Sequence, residues 1–240
     1  MSGPFIGKWP ADPEELVAEQ RALAAGQRPS AFWRPPEGQP LVAGCFICFP
    51  RGREGTGAVG DPAWAAAALV RGRRREARHV VAGTASGPYQ PGLLALREGP
   101  LLEAAVRGLP GRPDVLLVNA TGRDHPRRAG LALHLGAVLD LPTVGVTHRP
   151  LLAAGEWPDD RYGAASPLLL DDETVGCWLR TRAGTRPLAV HAAWRTDPET
   201  AAEVVRRCWC RRRTPEPLRE ARRLARTARG RGARPPGQSA

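Results

Sequence analysis

Pro113-Asp-Val-Leu-Leu-Val-Asn119 is the stretch on which the fold turns. Val115 to Val118 is apolar without polar alternation, so neither face of the strand it forms is suited to water. Such a strand belongs inside a sheet covered by helices on both sides. It runs into Asn119-Ala-Thr-Gly-Arg-Asp-His-Pro-Arg-Arg128, a polar, basic and glycine-containing segment. Ligands of open α/β sheets gather at such C-terminal strand edges. Arg127 and Arg128 read as the start of the next helix, Arg128 to Leu139. Cations there are disfavoured by the helix dipole unless they share an anion, so Arg127 is a candidate phosphate contact.

Outward from this centre, Thr143 to Thr147 reads as another buried strand. Leu168–Leu170, Val175–Arg180 and Leu188–His191 follow as short strands, then Pro198–Cys210 and Ala221–Ala228 as helices. On the N-terminal side, residues 13–25 form an amphipathic helix that the Pro-rich stretch Arg28 to Pro40 breaks. Val42–Phe49 and His79–Thr84 are β-prone, and Leu93–Leu109 has helical spacing. Ala63–Val70 fits either a helix, by its alanines, or the return strand of a hairpin, by its length and position. Strands first, then strands alternating with helices, predict a mixed α/β sheet in one domain, residues 1–228, with 229–240 as a disordered basic tail.

Composition narrows the function classes. A chain of 240 residues, 42% hydrophobic and 25% charged, is globular and long enough for one sizeable core. Its 35 basic against 24 acidic residues give +11, and Lys8 is the only lysine. Arginine on this scale suits either a polyanionic partner or a solvated surface. The best apolar run, Leu131 to Thr147, is interrupted by His134 and Asp140, so no membrane span is expected. Met1 to Asp12 has no apolar signal core, which predicts a cytoplasmic protein. Cys45, Cys48, Cys177, Cys208 and Cys210 are too few and too odd in number for a disulfide scaffold. Four of them could hold zinc only if the fold brought Cys45 and Cys48 to Cys208 and Cys210; otherwise they are buried thiols. Gly55-Thr-Gly-Ala-Val-Gly60 fits G-x-G-x-x-G with Glu76 downstream, but Pro50 to Glu54 separates it from the strand. A dinucleotide turn needs its first glycine at the strand end, so a hairpin loop is the better reading.

Pro88-Tyr-Gln-Pro-Gly-Leu-Leu-Ala-Leu-Arg-Glu-Gly-Pro100, Gly122 with His125-Pro-Arg127, Leu141-Pro-Thr-Val-Gly-Val146 and Pro215-Glu-Pro217 together resemble the endonuclease V family, over roughly Trp9 to Leu224. The resemblance implies a ribonuclease H-like fold, a mixed sheet flanked by helices. It implies Mg²⁺- or Mn²⁺-dependent hydrolysis of a phosphodiester near a deaminated base, hypoxanthine in DNA or RNA. It also places Tyr89 in a strand-separating wedge, and Gly92, Leu94, Gly122 and His125 in or beside the pocket for the extruded base.

The departures fall where the chemistry should be. Glu98 matches the family's helix-borne catalytic glutamate, but Phe46 stands at its first-strand aspartate and Asn119 at the aspartate closing the buried strand. Ala120 replaces a glycine, His148 a lysine and Trp194 a late histidine. Mg²⁺ needs hard oxygen ligands, and two-metal hydrolysis needs carboxylate charge to place the ions. Glu98 is left to hold one Mg²⁺ or Mn²⁺ weakly, together with a substrate phosphate. Asp124, His125 and His191 are candidate substitutes, Asp124 by turning inward five residues past Asn119. The leading expectation is a monomeric nucleic-acid-binding protein whose cleavage centre has decayed. The alternatives are a metal-dependent nuclease using Glu98 with Asp124, Asn119 or His191, with His148 among its catalytic residues, and a protein-interaction scaffold.

Overall fold

Val115–Val118 is a strand in the computed structural model, and each of its residues is buried. The structure describes residues 9–26, 32–52, 56–208 and 211–232. In chain order the elements are α1 (Pro13–Gly26), β1 (Leu41–Cys48), β2 (Pro62–Arg71), β3 (Arg74–Thr84), α2 (Leu94–Arg107), β4 (Val115–Val118) and α3 (Leu131–Leu139). They continue with β5 (Thr143–Thr147), β6 (Ala165–Leu170), β7 (Glu173–Leu179), β8 (Leu188–Ala192), α4 (Pro198–Arg207) and α5 (Glu216–Gly232). One mixed sheet runs β3-β2-β1-β4-β5-β8-β7-β6. Its centre, β1-β4-β5, is parallel, and antiparallel strands extend it on both sides. The mixed sheet flanked by helices that the sequence predicts is therefore present. β1, β4 and β5 all end at one edge, which becomes the candidate site.

Ala63–Val70 is resolved as strand. Pairing on both sides, Ala67 with Cys45 and with His79, outweighs alanine's helical preference. Its small side chains let helices close on both faces: Ala65 and Ala67 join the core beneath α2, Ala66 and Ala68 the one beneath α5. The first turn of α5 also presses on β1. A Cβ on Gly44 would stand 2.3 Å from the Pro217 carbonyl carbon, so only glycine fits there.

Several boundaries differ from the sequence reading: β3 begins at Arg74 rather than His79, and β6 at Ala165 rather than Leu168. α3 begins at Leu131, because Arg128 has φ 57°, a left-handed conformation that no helix start can use. α4 ends at Arg207 rather than Cys210, and Cys210 lies outside the described residues. α5 covers Glu216–Gly232, so Arg229 to Gly232 are helical rather than part of the tail, and 233–240 lie outside the described residues. Leu218, Ala221, Leu224 and Ala225 form the buried stripe that sustains this arginine-rich helix.

Cys45, Cys48 and Cys208 belong to separate cores. Among the described residues no group of three or more His, Cys, Asp or Glu could hold a metal ion. Gly57 and Gly60, both at positive φ, lie in the β1–β2 hairpin connection, and Glu76 pairs with Arg71 at 3.0 Å on the hairpin's far side. Gly55 lies outside the described residues. Among the described residues no helix is long and apolar enough to cross a membrane.

Candidate nucleic-acid interface

Two loops meet above α2. The segment carrying Pro88-Tyr-Gln-Pro91 is tied to the glycine loop by the Tyr89 N–H, which donates to the Gly57 carbonyl at 3.0 Å. Beneath both lies Arg97, 4% exposed, whose guanidinium donates to Ala58 O (2.8 Å), Gly87 O (2.9 Å) and Asp61 Oδ2 (2.8 Å). It also rests 4.2 Å above the Phe49 ring. A buried arginine needs this degree of pairing, and here the pairing fixes the loop that presents Tyr89, itself 44% exposed.

The second group converges on one carbonyl. Gly92, at φ 78°, turns its oxygen to accept from Arg127 Nη2 (2.8 Å), His125 Nε2 (3.1 Å) and Gln20 Nε2 of α1 (3.2 Å). Arg127 Nε donates to Gln20 Oε1 at 2.6 Å, and the Arg127 backbone N–H donates to His125 Nδ1 at 3.2 Å. His125 is thus neutral with its proton on Nε2, and burial pushes its pKa down to about 4. Leu94 opens α2 next to Gly92. Gly122 packs on β8, where a Cβ would meet the Ala192 carbonyl oxygen at 2.1 Å. A groove lined by Val17, Arg21, Gln90, Pro91 and Arg127 runs along α1 beside this cluster.

Asp124, also buried, turns elsewhere. Its carboxylate accepts the backbone N–H groups of Leu151 (2.6 Å), Leu152 (2.8 Å) and Ala153 (2.8 Å). His191 Nδ1 stands 3.6 Å from it, and His191 Nε2 is 2.8 Å from Thr147 Oγ1.

The third group is a narrow cleft at the strand edge, lined by Phe46, Asn119, Val146, His148, Leu218 and Arg222 among others. Cys45 and Val118 are partners in the parallel β1–β4 pair, so the residues after them, Phe46 and Asn119, fall side by side. Arg222 and Arg226 of α5 lie 5.4 and 6.0 Å from the Phe46 ring centroid. His148 is exposed, and partial burial together with the charges of Arg213 and Arg222 holds its pKa below the ordinary imidazole value. Glu98 sits on α2, across the sheet from α5, and its charge acts on Cys45, whose side chain belongs to the core beneath α2. Desolvation raises the Glu98 pKa to about 7, with Arg97 opposing. Trp194 lies at the other end of β5 from His148, its backbone N–H donating to Thr143 Oγ1 at 3.1 Å.

The structure brings Gly92, His125 and Arg127 to one carbonyl, and Phe46, Asn119 and His148 to one cleft. Arg127, read from the sequence as a phosphate contact at a helix start, instead precedes the Gly130 N-cap of α3 and turns its guanidinium to Gly92 and Gln20. Sequence reading missed Gln20, Arg97, Arg222 and Arg226. The period of α2 carries a signal for Arg97, which lies one turn from both Leu93 and Leu101 on the inward side. The cleft does not fit a divalent cation. It offers a neutral amide and an imidazole beside two guanidinium groups, whereas Mg²⁺ demands hard, negatively charged oxygens.

A parallel-centred mixed sheet with helices on both faces and a polar cleft at its strand edge defines a ribonuclease H-like α/β protein. The chain belongs to the endonuclease V family, whose sequence model, described as Endonuclease V, matches residues 34–223. It is 40% identical to endonuclease V of Thermus thermophilus over 215 residues, 88% of this chain and 90% of that protein. Endonuclease V of Methanopyrus kandleri is 45% identical over 149 residues, which cover 62% of this chain and 64% of that protein. The crystal structure of endonuclease V from Streptomyces avermitilis superposes with a TM-score of 0.82 at 32% identity, covering 97% of this chain and 100% of that one.

Proposed function

We propose that this protein binds single-stranded or deaminated, hypoxanthine-containing nucleic acid and cleaves it weakly or not at all. The observation that carries this reading is the cleft at Phe46, Asn119 and His148. Where the family resemblance expects metal-holding carboxylates, α5 brings two arginines over a phenylalanine. The recognition elements are better kept. Tyr89 stands out on a loop fixed by Arg97, ready to fill a vacated stacking position, and Gly92, His125 and Arg127 are assembled beside it. A rearranged metal-dependent nuclease would draw on Asp124, but three N–H bonds already occupy that carboxylate.

The test pairs cleavage with binding. Purified protein should give no Mg²⁺- or Mn²⁺-dependent nicking of deoxyinosine DNA above background, while fluorescence anisotropy shows salt-sensitive binding of the same oligonucleotide. Nicking that disappears in Glu98→Ala establishes the nuclease instead. No binding at any salt concentration points to the scaffold.

A further inference from the structure

We infer that Arg222 and Arg226, together with the Asn119 amide, form a metal-independent binding site for a backbone phosphate of a nucleic-acid strand. The inference rests on the nucleic-acid-binding reading above and assigns that reading a contact. Arg222 and Arg226 are four residues apart on α5 and so project from the same side of the helix. Both guanidinium groups lie within cation–π reach of the Phe46 ring, which holds them at the mouth of the cleft.

Among the described residues no carboxylate neutralises their charge. The acidic residues of α5, Glu216 and Glu220, are taken up by Arg219, Arg223 and, from β3, Arg75. No described carboxylate lies within ion-pair distance of Arg222 or Arg226, and Arg222 Nε is closed to solvent without an acceptor. Burial and the neighbouring charge of Arg226 both make Arg222 easier to deprotonate than an ordinary arginine, the mark of cations held together without a counter-ion. Arg213 adds charge at the same edge, its Nε and Nη2 fixed to the carbonyls of Arg186 (2.7 Å) and Pro187 (2.9 Å).

A phosphodiester supplies what this arrangement lacks. Its anionic oxygens match the guanidinium fork, and the apolar wall of Phe46, Val146 and Leu218 weakens the competition from water. Asn119 Nδ2 can donate to the same phosphate. Guanidinium charge would therefore stand where divalent ions serve in carboxylate-bearing sites, contributing affinity without a hydrolytic hydroxide.

The experiment measures anisotropy of a labelled single-stranded oligonucleotide containing one deoxyinosine, across a salt series, in EDTA and in Mg²⁺. Wild-type affinity should be the same in both. Arg222→Gln and Arg226→Gln should each raise Kd by about 5- to 10-fold and flatten the slope of log Kd against log salt by about 0.7, the loss of one phosphate contact on a single strand. Phe46→Asp, which sets a carboxylate between the two guanidiniums, should reproduce the loss without changing any arginine. Arg73→Gln, on the β2–β3 turn, should leave Kd within about twofold. Thermal melting confirms that each variant is folded. Unchanged Kd and slope in folded Arg222→Gln and Arg226→Gln overturn the site while leaving nucleic-acid binding intact. Wild-type binding that vanishes in EDTA and returns with Mg²⁺ overturns it too. A wild type that binds no oligonucleotide overturns both readings.

Discussion

Asp124 Oδ2 lies 3.6 Å from His191 Nδ1, and both side chains are fully closed to solvent. The carboxylate also caps the Leu151, Leu152 and Ala153 N–H groups, so one buried charge ties the segment after β4 to the one after β5. Asp124→Ala should cost about 3–5 kcal/mol, since it leaves three backbone donors, that of buried Ala153 among them, without their acceptor. Asp124→Asn, keeping one oxygen, should cost about 2 kcal/mol. Urea unfolding measures both. If Asp124 served a metal instead, Mn²⁺ would raise the melting temperature of the wild type and not of Asp124→Asn; no such difference is expected.

Acid should destabilise the fold through its histidines. Burial pushes His125 and His191 down to about 4 from 6.5, the neighbouring Asp124 only partly offsetting this at both. His134 is likewise lowered to about 4 by burial, although Glu19 Oε2 stands 3.2 Å from its ring nitrogen. The unfolded chain therefore binds more protons between pH 6.5 and 4, and their contribution, complete above pH 6.5, is lost as the pH falls. Glu98 has the opposite sign. Raised from 4.5 to about 7, it stabilises at low pH and loses that contribution as the pH rises through 7. Glu98→Gln should stabilise the protein by about 1–3 kcal/mol above pH 7 and steepen the acid loss between pH 5 and 6.5. Melting temperatures from pH 4 to 8.5 check both signs.

Arg97 is the inner staple of the loop that carries Tyr89. Arg97→Ala should cost about 3–5 kcal/mol, because it removes the cation paired with the buried carboxylate of Asp61 and the donor to the carbonyls of Ala58 and Gly87. Limited proteolysis should then cut within residues 56–61 or 86–91 before any other described segment. Cleavage elsewhere first would mean that other contacts hold these loops.

Tyr89 and Arg127 should separate in their effects. Tyr89→Ala should weaken oligonucleotide binding by about 1–3 kcal/mol with little change in melting temperature, as expected for an exposed stacking ring. Arg127→Ala should lower the melting temperature as well, since its guanidinium bonds Gly92 and Gln20. Loss of affinity in Arg127→Ala without loss of stability would restore it as a direct phosphate contact.

Legibility followed the reach of the interaction. β4 and β5 could be read because continuous apolar runs have few other uses in a chain this polar. Ala63–Val70 could not be decided locally, since its state depends on partners at Cys45 and His79. The end of α5 was obscured by arginines that resemble a solvated tail, its apolar stripe being one residue wide in places. In the site, a family motif marks Gly92, His125 and Arg127, whereas Gln20 reaches them from 72 residues away along the chain, which no spacing rule reveals. The resemblance alone sets Phe46 where the family carries an aspartate. That Arg222 and Arg226 cover it was not legible, because composition counts charges without saying where they stand.

The missing methyl of Gly44 bears on that last point. With Pro217 backbone 2.3 Å from where a Cβ would sit, glycine sets the height at which α5 rides over β1. Arginines further along the helix inherit that height, so the reach of their cations over the strand edge is gauged by a residue that carries no charge. Added bulk at this position would tilt the helix outward and loosen the grip on a strand while leaving the net charge at +11. The protein's electrostatics thus have a mechanical adjustment, located in a strand beneath the charged surface.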